Sequence, residues 1–332
     1  MMQQEEDALP RSGCLVAASV TPVTETYRPD LPRALGHARW LFERGCDGIA
    51  LFGTTGEGPE FSNADRKAVL EHLLAGGVAS GRIIVSVNAM TIPDIVDLAR
   101  HALARGVHDL LLMLPCVFRS GITEDGVFRF YATVIDRIAD PTLRLLLYHF
   151  PDICGVPVTP RTIRRLDERY PGLIAGVKDS GGDADHTAEL IRRFSHLSIF
   201  TGTEVHLPQA LIAGARGTVC GMANVMPQLM RAMMDLPTYY DKHELIASLM
   251  TADTILSRSA FIASAKAVLA GLHDDPAWGR VVPPMCPPTA FTRPRLVQDF
   301  MRWDASLPTG WRSMDYDPAI QQRKPPLAAV PA

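Results

Sequence analysis

The feature that most constrains this chain is a steady alternation of short apolar runs with segments of helical period, about eight units long and starting at Cys14. Cys14–Val20, Asp47–Phe52, Arg82–Val87, Asp109–Leu114, Leu143–Tyr148, Leu173–Lys178, Leu197–Thr201 and Gly217–Val219 read as strands. Between them, Leu31–Arg44, Ile92–Arg105, Glu124–Ile138, Arg161–Arg169, Ala184–Arg193 and Leu207–Ala213 carry apolar residues at helical spacing, and a further helix starts at Pro227. Ser62 with Asp65 resembles a capping box, and Thr159-Pro160 sets an N-cap before proline at the first helical position. Near-continuous apolar strands between helices imply a parallel sheet covered on both faces. Eight such units favour closure into an α/β fold, the (β/α)8 TIM barrel. A doubly wound sheet is the alternative, but its glycine-rich phosphate turn is missing. Gly53-Thr54-Thr55-Gly56-Glu57-Gly58 has neither that spacing nor that of a P-loop. The expected organisation is an N-terminal arm (1–12), the barrel (13–238), a C-terminal helical extension (239–306) and a tail (307–332) without a core pattern.

Composition narrows the function. With 47% hydrophobic and 21% charged residues in 332, the chain can bury a sizeable core. A net charge of −3 and no basic stripe interleaved with aromatics exclude nucleic acid as the expected partner. No stretch approaches the length of a membrane span, and Met1 to Arg11 is polar and acidic, so a cytoplasmic location is expected. The six cysteines lack a C-x-x-C pair and the ten histidines lack H-E-x-x-H spacing, so neither disulfides nor a metal site is expected.

Residues just past the C-terminal ends of barrel strands converge on one mouth. There, Leu173-Ile174-Ala175-Gly176-Val177 runs into Lys178. Burial disfavours an ammonium ion, and a partly neutral amine can attack a ketone or aldehyde to form a Schiff base. Alone, such a lysine could equally reach solvent along its aliphatic stem. Other strand ends supply Gly53-Thr54-Thr55-Gly56-Glu57, Tyr148-His149 and Gly202-Thr203-Glu204. A Gly-Thr-Thr-Gly turn presents N–H groups and hydroxyls to a carboxylate with little side-chain bulk in the way. A phenol near the amine can move the protons that carbinolamine chemistry requires. Singly, the turn reads as a tight connection, Tyr148 as a core aromatic and Glu204 as a first-turn helix residue. Jointly they read as one site.

Taken in order, Gly53-Thr54-Thr55-Gly56-Glu57, Leu147-Tyr148-His149-Phe150-Pro151, Gly176-Val177-Lys178-Asp179 and Gly214-Ala215-Arg216-Gly217 with Asn224-Val225-Met226-Pro227 resemble the dihydrodipicolinate synthase / N-acetylneuraminate lyase family of class I pyruvate-dependent aldolases. The likeness spans roughly Cys14 to Trp303. It implies that Lys178 forms an iminium with pyruvate or another 2-keto acid, that Tyr148 shuttles protons with help from Thr54, and that Thr55 and the N–H groups of the turn at Gly53 hold the keto-acid carboxylate. The backbone at Val219 would line the pocket, while Ser180, Glu204 and Gly221 match places that contact distal substrate hydroxyls. It also implies no cofactor, since the iminium is the electron sink, and a homotetramer built as a dimer of dimers.

Two departures bear on the substrate. Pro115-Cys116-Val117-Phe118 lacks the tyrosine that synthases of the family use to complete a relay, and Ile153 stands where they carry a carboxylate-gripping arginine. The resemblance therefore points to an aldolase or dehydratase acting on a hydroxylated 2-keto acid. A 4-hydroxy-tetrahydrodipicolinate synthase and a non-catalytic keto-acid-binding protein are the alternatives.

Overall fold

The structure, a computed structural model, describes residues 9–10, 12–116, 121–236 and 242–314. Eight parallel strands close into a barrel in sequence order. They are β1 (Cys14–Ala18), β2 (Gly48–Leu51), β3 (Ile83–Ser86), β4 (Asp109–Met113), β5 (Arg144–His149), β6 (Ile174–Asp179), β7 (Ser198–Thr201) and β8 (Gly217–Cys220). Closure is the β1–β8 pairing, with Cys14 opposite Gly217 and Ala17 opposite Cys220. Every residue of β1, β2, β3 and β8 is buried, as strands covered on both faces must be. The expected TIM barrel is the observed one.

The helices are α1 (Leu31–Glu43), α2 (Asn63–Ala75), α3 (Ile92–Ala104), α4 (Glu124–Ile138), α5 (Pro151–Cys154), α6 (Pro160–Arg169), α7 (Ala184–Arg193), α8 (Leu207–Ala213) and α9 (Pro227–Asp235). After them come α10 (His243–Leu256), α11 (Phe261–Leu272) and α12 (Thr292–Ser306), the helices expected beyond the barrel. The caps read from sequence are made: Ser62 Oγ accepts from the Asp65 amide at 3.1 Å, and Thr159 Oγ1 from the Thr162 amide at 3.2 Å. The short helix α5 was not foreseen. Four residues are too few to show a helical period.

The helices after the barrel fold back on it through α1. His37 lies 5.1 Å from the Trp278 ring and Trp40 lies 5.5 Å from His273, giving a buried aromatic cluster at their junction. Among the described residues, no single helix is long and apolar enough to cross a membrane.

One irregularity in the sheet decides the site. Along β5 and β6, Leu145 pairs with Ile174 but Leu146 pairs with Gly176, so Ala175 is an extra residue in β6. Because side chains alternate faces along a strand, a one-residue slip reverses everything beyond it. Past the slip, Tyr148 lies opposite Lys178 and His149 opposite Asp179.

Candidate active site

A cavity of about 430 Å³ opens at the C-terminal ends of the strands. Thr54, Thr55, Tyr148, Lys178, Ser180, Glu204, Val219 and Gly221 all line it. The structure therefore brings together eight of the residues that the sequence singled out. Gly53 is not among the lining residues; its carbonyl closes the turn by accepting the Gly58 N–H at 3.2 Å. Ile153 does not line the cavity. It sits half-buried on α5, packed against the core. Val117 lies outside the described residues.

At the centre, Lys178 Nζ stands over the Tyr148 ring, 4.3 Å from its centroid, and the two residues are 5% and 2% exposed. The amine is therefore in contact with the phenol ring and shielded from bulk water. Among the described residues Lys178 forms no ion pair, which leaves its nitrogen to the aromatic face and the cavity. Thr54 Oγ1 lies 3.5 Å from the Tyr148 hydroxyl, at the outer limit of a hydrogen bond. A Cβ at Gly202 would fall 2.0 Å from Ser180 Oγ and 3.1 Å from Lys178 Cε. A side chain at 202 would push the Ser180 hydroxyl aside and crowd the lysine stem.

The turn after β2 is held in a demanding shape. Phe52 and Glu57 both take left-handed backbone conformations, and a Cβ at Gly58 would meet the Phe52 carbonyl oxygen at 1.9 Å. What holds it is Glu57, whose carboxylate is fully enclosed. It pairs with Lys266 of α11 and accepts the Val282 N–H at 3.1 Å. Burial pulls the Lys266 ammonium below its ordinary range, against the opposing pull of Glu57. This anchor was missed in the sequence. The available signal was Lys266 itself, the one charged residue in the apolar helix Phe261–Leu272.

Glu204 lines the cavity and also shapes its wall. Its Oε1 accepts the N–H groups of Gly221 and Met222 at 2.9 and 3.1 Å, so one oxygen is committed to shaping the turn after β8. Burial raises its carboxyl above the usual range, while those amides and nearby Lys178 pull it back. Asn224 completes that turn. Its Nδ2 donates to the carbonyls of Ala18 and Gly221, and its Oδ1 accepts from the Val20 amide and faces His37 Nε2 at 2.9 Å. The outer wall comes from beyond the barrel: Asp253 of α10 and Ser257 just after it, Phe261 and Ile262 of α11, and Met285. Those residues carry no motif, and nothing in the sequence marked them.

A lysine against a tyrosine, with a hydroxyl-bearing turn beside them at the mouth of a barrel, is the constellation expected of class I aldolases. The dihydrodipicolinate synthetase family model matches residues 11–274. The chain belongs to that family. An uncharacterised DapA-like lyase of Chloroflexus aurantiacus is 33% identical over 223 residues, covering 67% of this chain and 73% of its own length. A 4-hydroxy-tetrahydrodipicolinate synthase of Streptomyces coelicolor is 31% identical over 234 residues, covering 70% and 74%. The crystal structure of dihydrodipicolinate synthase from Agrobacterium tumefaciens matches with a TM-score of 0.80 at 29% identity, over 88% of this chain and 99% of that one. As a member of the dihydrodipicolinate synthetase family, the chain is a lyase.

Proposed function

We propose that Lys178 forms a Schiff base with pyruvate or a hydroxylated 2-keto acid, and that the protein is an aldolase or dehydratase of such acids. The observation that carries this is the buried Lys178 amine against the Tyr148 ring, with no ion pair among the described residues and a 430 Å³ cavity before it. The steps follow from the residues. The amine adds to the keto carbon, Tyr148 and Thr54 move protons on and off the carbinolamine oxygen, and water leaves as the iminium forms. Thr55 and the amides of the turn take the carboxylate. The iminium then withdraws electrons from the neighbouring carbon, which lets a carbon–carbon or carbon–oxygen bond break without a metal or organic cofactor.

A synthase acting on aspartate semialdehyde is the second reading, supported by the synthase among the 31%-identical relatives. The cavity lining speaks against it, since that reading needs a cation for the semialdehyde carboxylate. Among the described residues, Lys178 is the one cation lining the cavity. The same reading of the family makes the assembly a tetramer of two dimers.

Incubation with pyruvate and borohydride should leave an irreversible adduct on Lys178, found by peptide mass spectrometry. An unlabelled Lys178 in folded protein removes the proposal. Pyruvate release across a panel of hydroxylated 2-keto acids, against a coupled assay with pyruvate and aspartate semialdehyde, separates the two readings.

A further inference from the structure

Tyr148 and Lys178 face the cavity, so their neighbours His149 and Asp179, paired across the same two strands, face the opposite way, toward the helix layer. There they meet His186, in the first turn of α7. One donor atom from each of the three lies within 4.8 Å of the other two. His149 and Asp179 are buried, and the His186 side chain is 20% exposed. His186 Nδ1 is 2.9 Å from Asp179 Oδ2, which also accepts from Thr187 Oγ1 at 2.8 Å. The two imidazoles are stacked, with centroids 4.4 Å apart.

His149 is the informative member. Its Nδ1 is engaged by the backbone of Val158 at 3.2 Å, which fixes the ring and turns Nε2 toward Asp179. Yet Nε2 stands 4.0 Å from Asp179 Oδ1, about 1 Å too far for a hydrogen bond. Gly181 keeps that gap open: a Cβ there would lie 2.9 Å from Nε2 and 3.3 Å from Oδ1. The imidazole nitrogen and the carboxylate oxygen thus face each other without bonding directly, and Oδ1 accepts the Gly181 N–H at 3.0 Å instead.

We propose that His149, Asp179 and His186 form a binding site for a zinc-class divalent transition-metal ion, with water completing the coordination. Two imidazoles and a carboxylate are a donor set that suits Zn²⁺. A point centred among atoms no more than 4.8 Å apart is at most about 2.8 Å from each, so sub-ångström shifts, together with a turn of the stacked rings that brings their nitrogen lone pairs to one point, reach the 2.0–2.2 Å of zinc ligands. The Val158 backbone on His149 and the Thr187 hydroxyl on Asp179 supply the outer contacts that orient such ligands. His186, at the solvent edge, is the way in. The ion ties β5, β6 and α7 together directly behind the amine and the phenol, and it takes no part in the bond chemistry. No short motif announces the site because its members come from two strands and a helix.

The test is calorimetric titration of chelator-treated full-length protein with ZnCl₂, with Co²⁺ absorption as a second probe. The expected result is one equivalent bound per chain, a visible Co²⁺ spectrum of four-coordinate type, and affinity at least tenfold weaker in His149→Asn and His186→Gln. Cys286→Ser, which removes an exposed thiol, leaves binding unchanged. Gly181→Ala retains all three donors and places a methyl group in the gap, so it weakens binding even if the histidine variants fail to fold. Uptake of no ion by the wild type, or folded variants that bind zinc as tightly as the wild type, overturns the proposal. None of these readouts uses turnover, so the result stands apart from the Schiff-base reading.

Discussion

Lys178 and Lys266 are both buried, yet they face opposite surroundings. Lys266 is completely enclosed and meets the carboxylate of Glu57, whereas Lys178 meets the face of a phenol and an open cavity. Enclosure with a counter-charge makes an amine a structural cation, because its desolvation is offset by the pair and its donors are occupied. Enclosure against an aromatic ring leaves the nitrogen free to react. Lys266 shapes the wall of the site, and on the Schiff-base proposal Lys178 supplies its reagent. Burial alone does not distinguish them.

The sharpest way to break this contrast is to give both positions the same substitution. Lys178→Met should reduce turnover on the order of 10⁴-fold or more, as loss of a covalent nucleophile does, and abolish the borohydride adduct with little change in melting temperature. Tyr148→Phe comes next. It keeps the ring under the amine but removes the proton carrier, lowering kcat by roughly 10²–10⁴-fold while the adduct still forms. Lys266→Met should behave in the opposite sense, destabilising the fold by about 3–5 kcal/mol through the Glu57 charge left enclosed. The double variant Lys266→Met with Glu57→Gln should recover much of that loss, as read by urea unfolding. If Lys266→Met abolishes the adduct without loss of stability, the division of roles is wrong.

A smaller effect concerns a third enclosed base. His37 of α1, in the aromatic cluster, is held down to about 4 from an ordinary value of 6.5 by burial, with His273 nearby held down for the same reason. The unfolded chain therefore takes up a proton before the folded one does. The contribution is fully present above pH 6.5 and is lost as pH falls toward 4, by up to about 3 kcal/mol for His37. Urea midpoints should drop between pH 7 and 4.5, and drop less in His37→Gln. Equal drops would show that His37 is not the group responsible.

Much of the site was legible because its parts are strand ends. Lys178, Tyr148, Thr54 and Thr55 each follow an apolar run, and barrel closure alone brings such positions to one mouth. Glu204 was legible as a site member but not in its work, since nothing in Gly202-Thr203-Glu204 shows that its oxygen caps the amides of Gly221 and Met222. Ile153 shows the converse: matched by position to a substrate contact, it packs against the core on an unforeseen helical turn. Phe261, Ile262 and Met285 were out of reach because their approach to the cavity is set by how α10 and α11 dock on the barrel.

From the sequence alone came the eight-unit alternation, hence the barrel, and the short list of groups at its mouth. Both depend on local periodicity, which a chain carries in its residue order. Tertiary structure decided the rest. The extra residue Ala175 sets Lys178 opposite Tyr148 rather than one place away, and so turns His149 and Asp179 outward toward His186. Glu57 finds Lys266 only once the last helices have closed over the mouth. Contacts between residues far apart in the chain depend on register and docking, and these are settled by packing of the whole molecule rather than by any one segment.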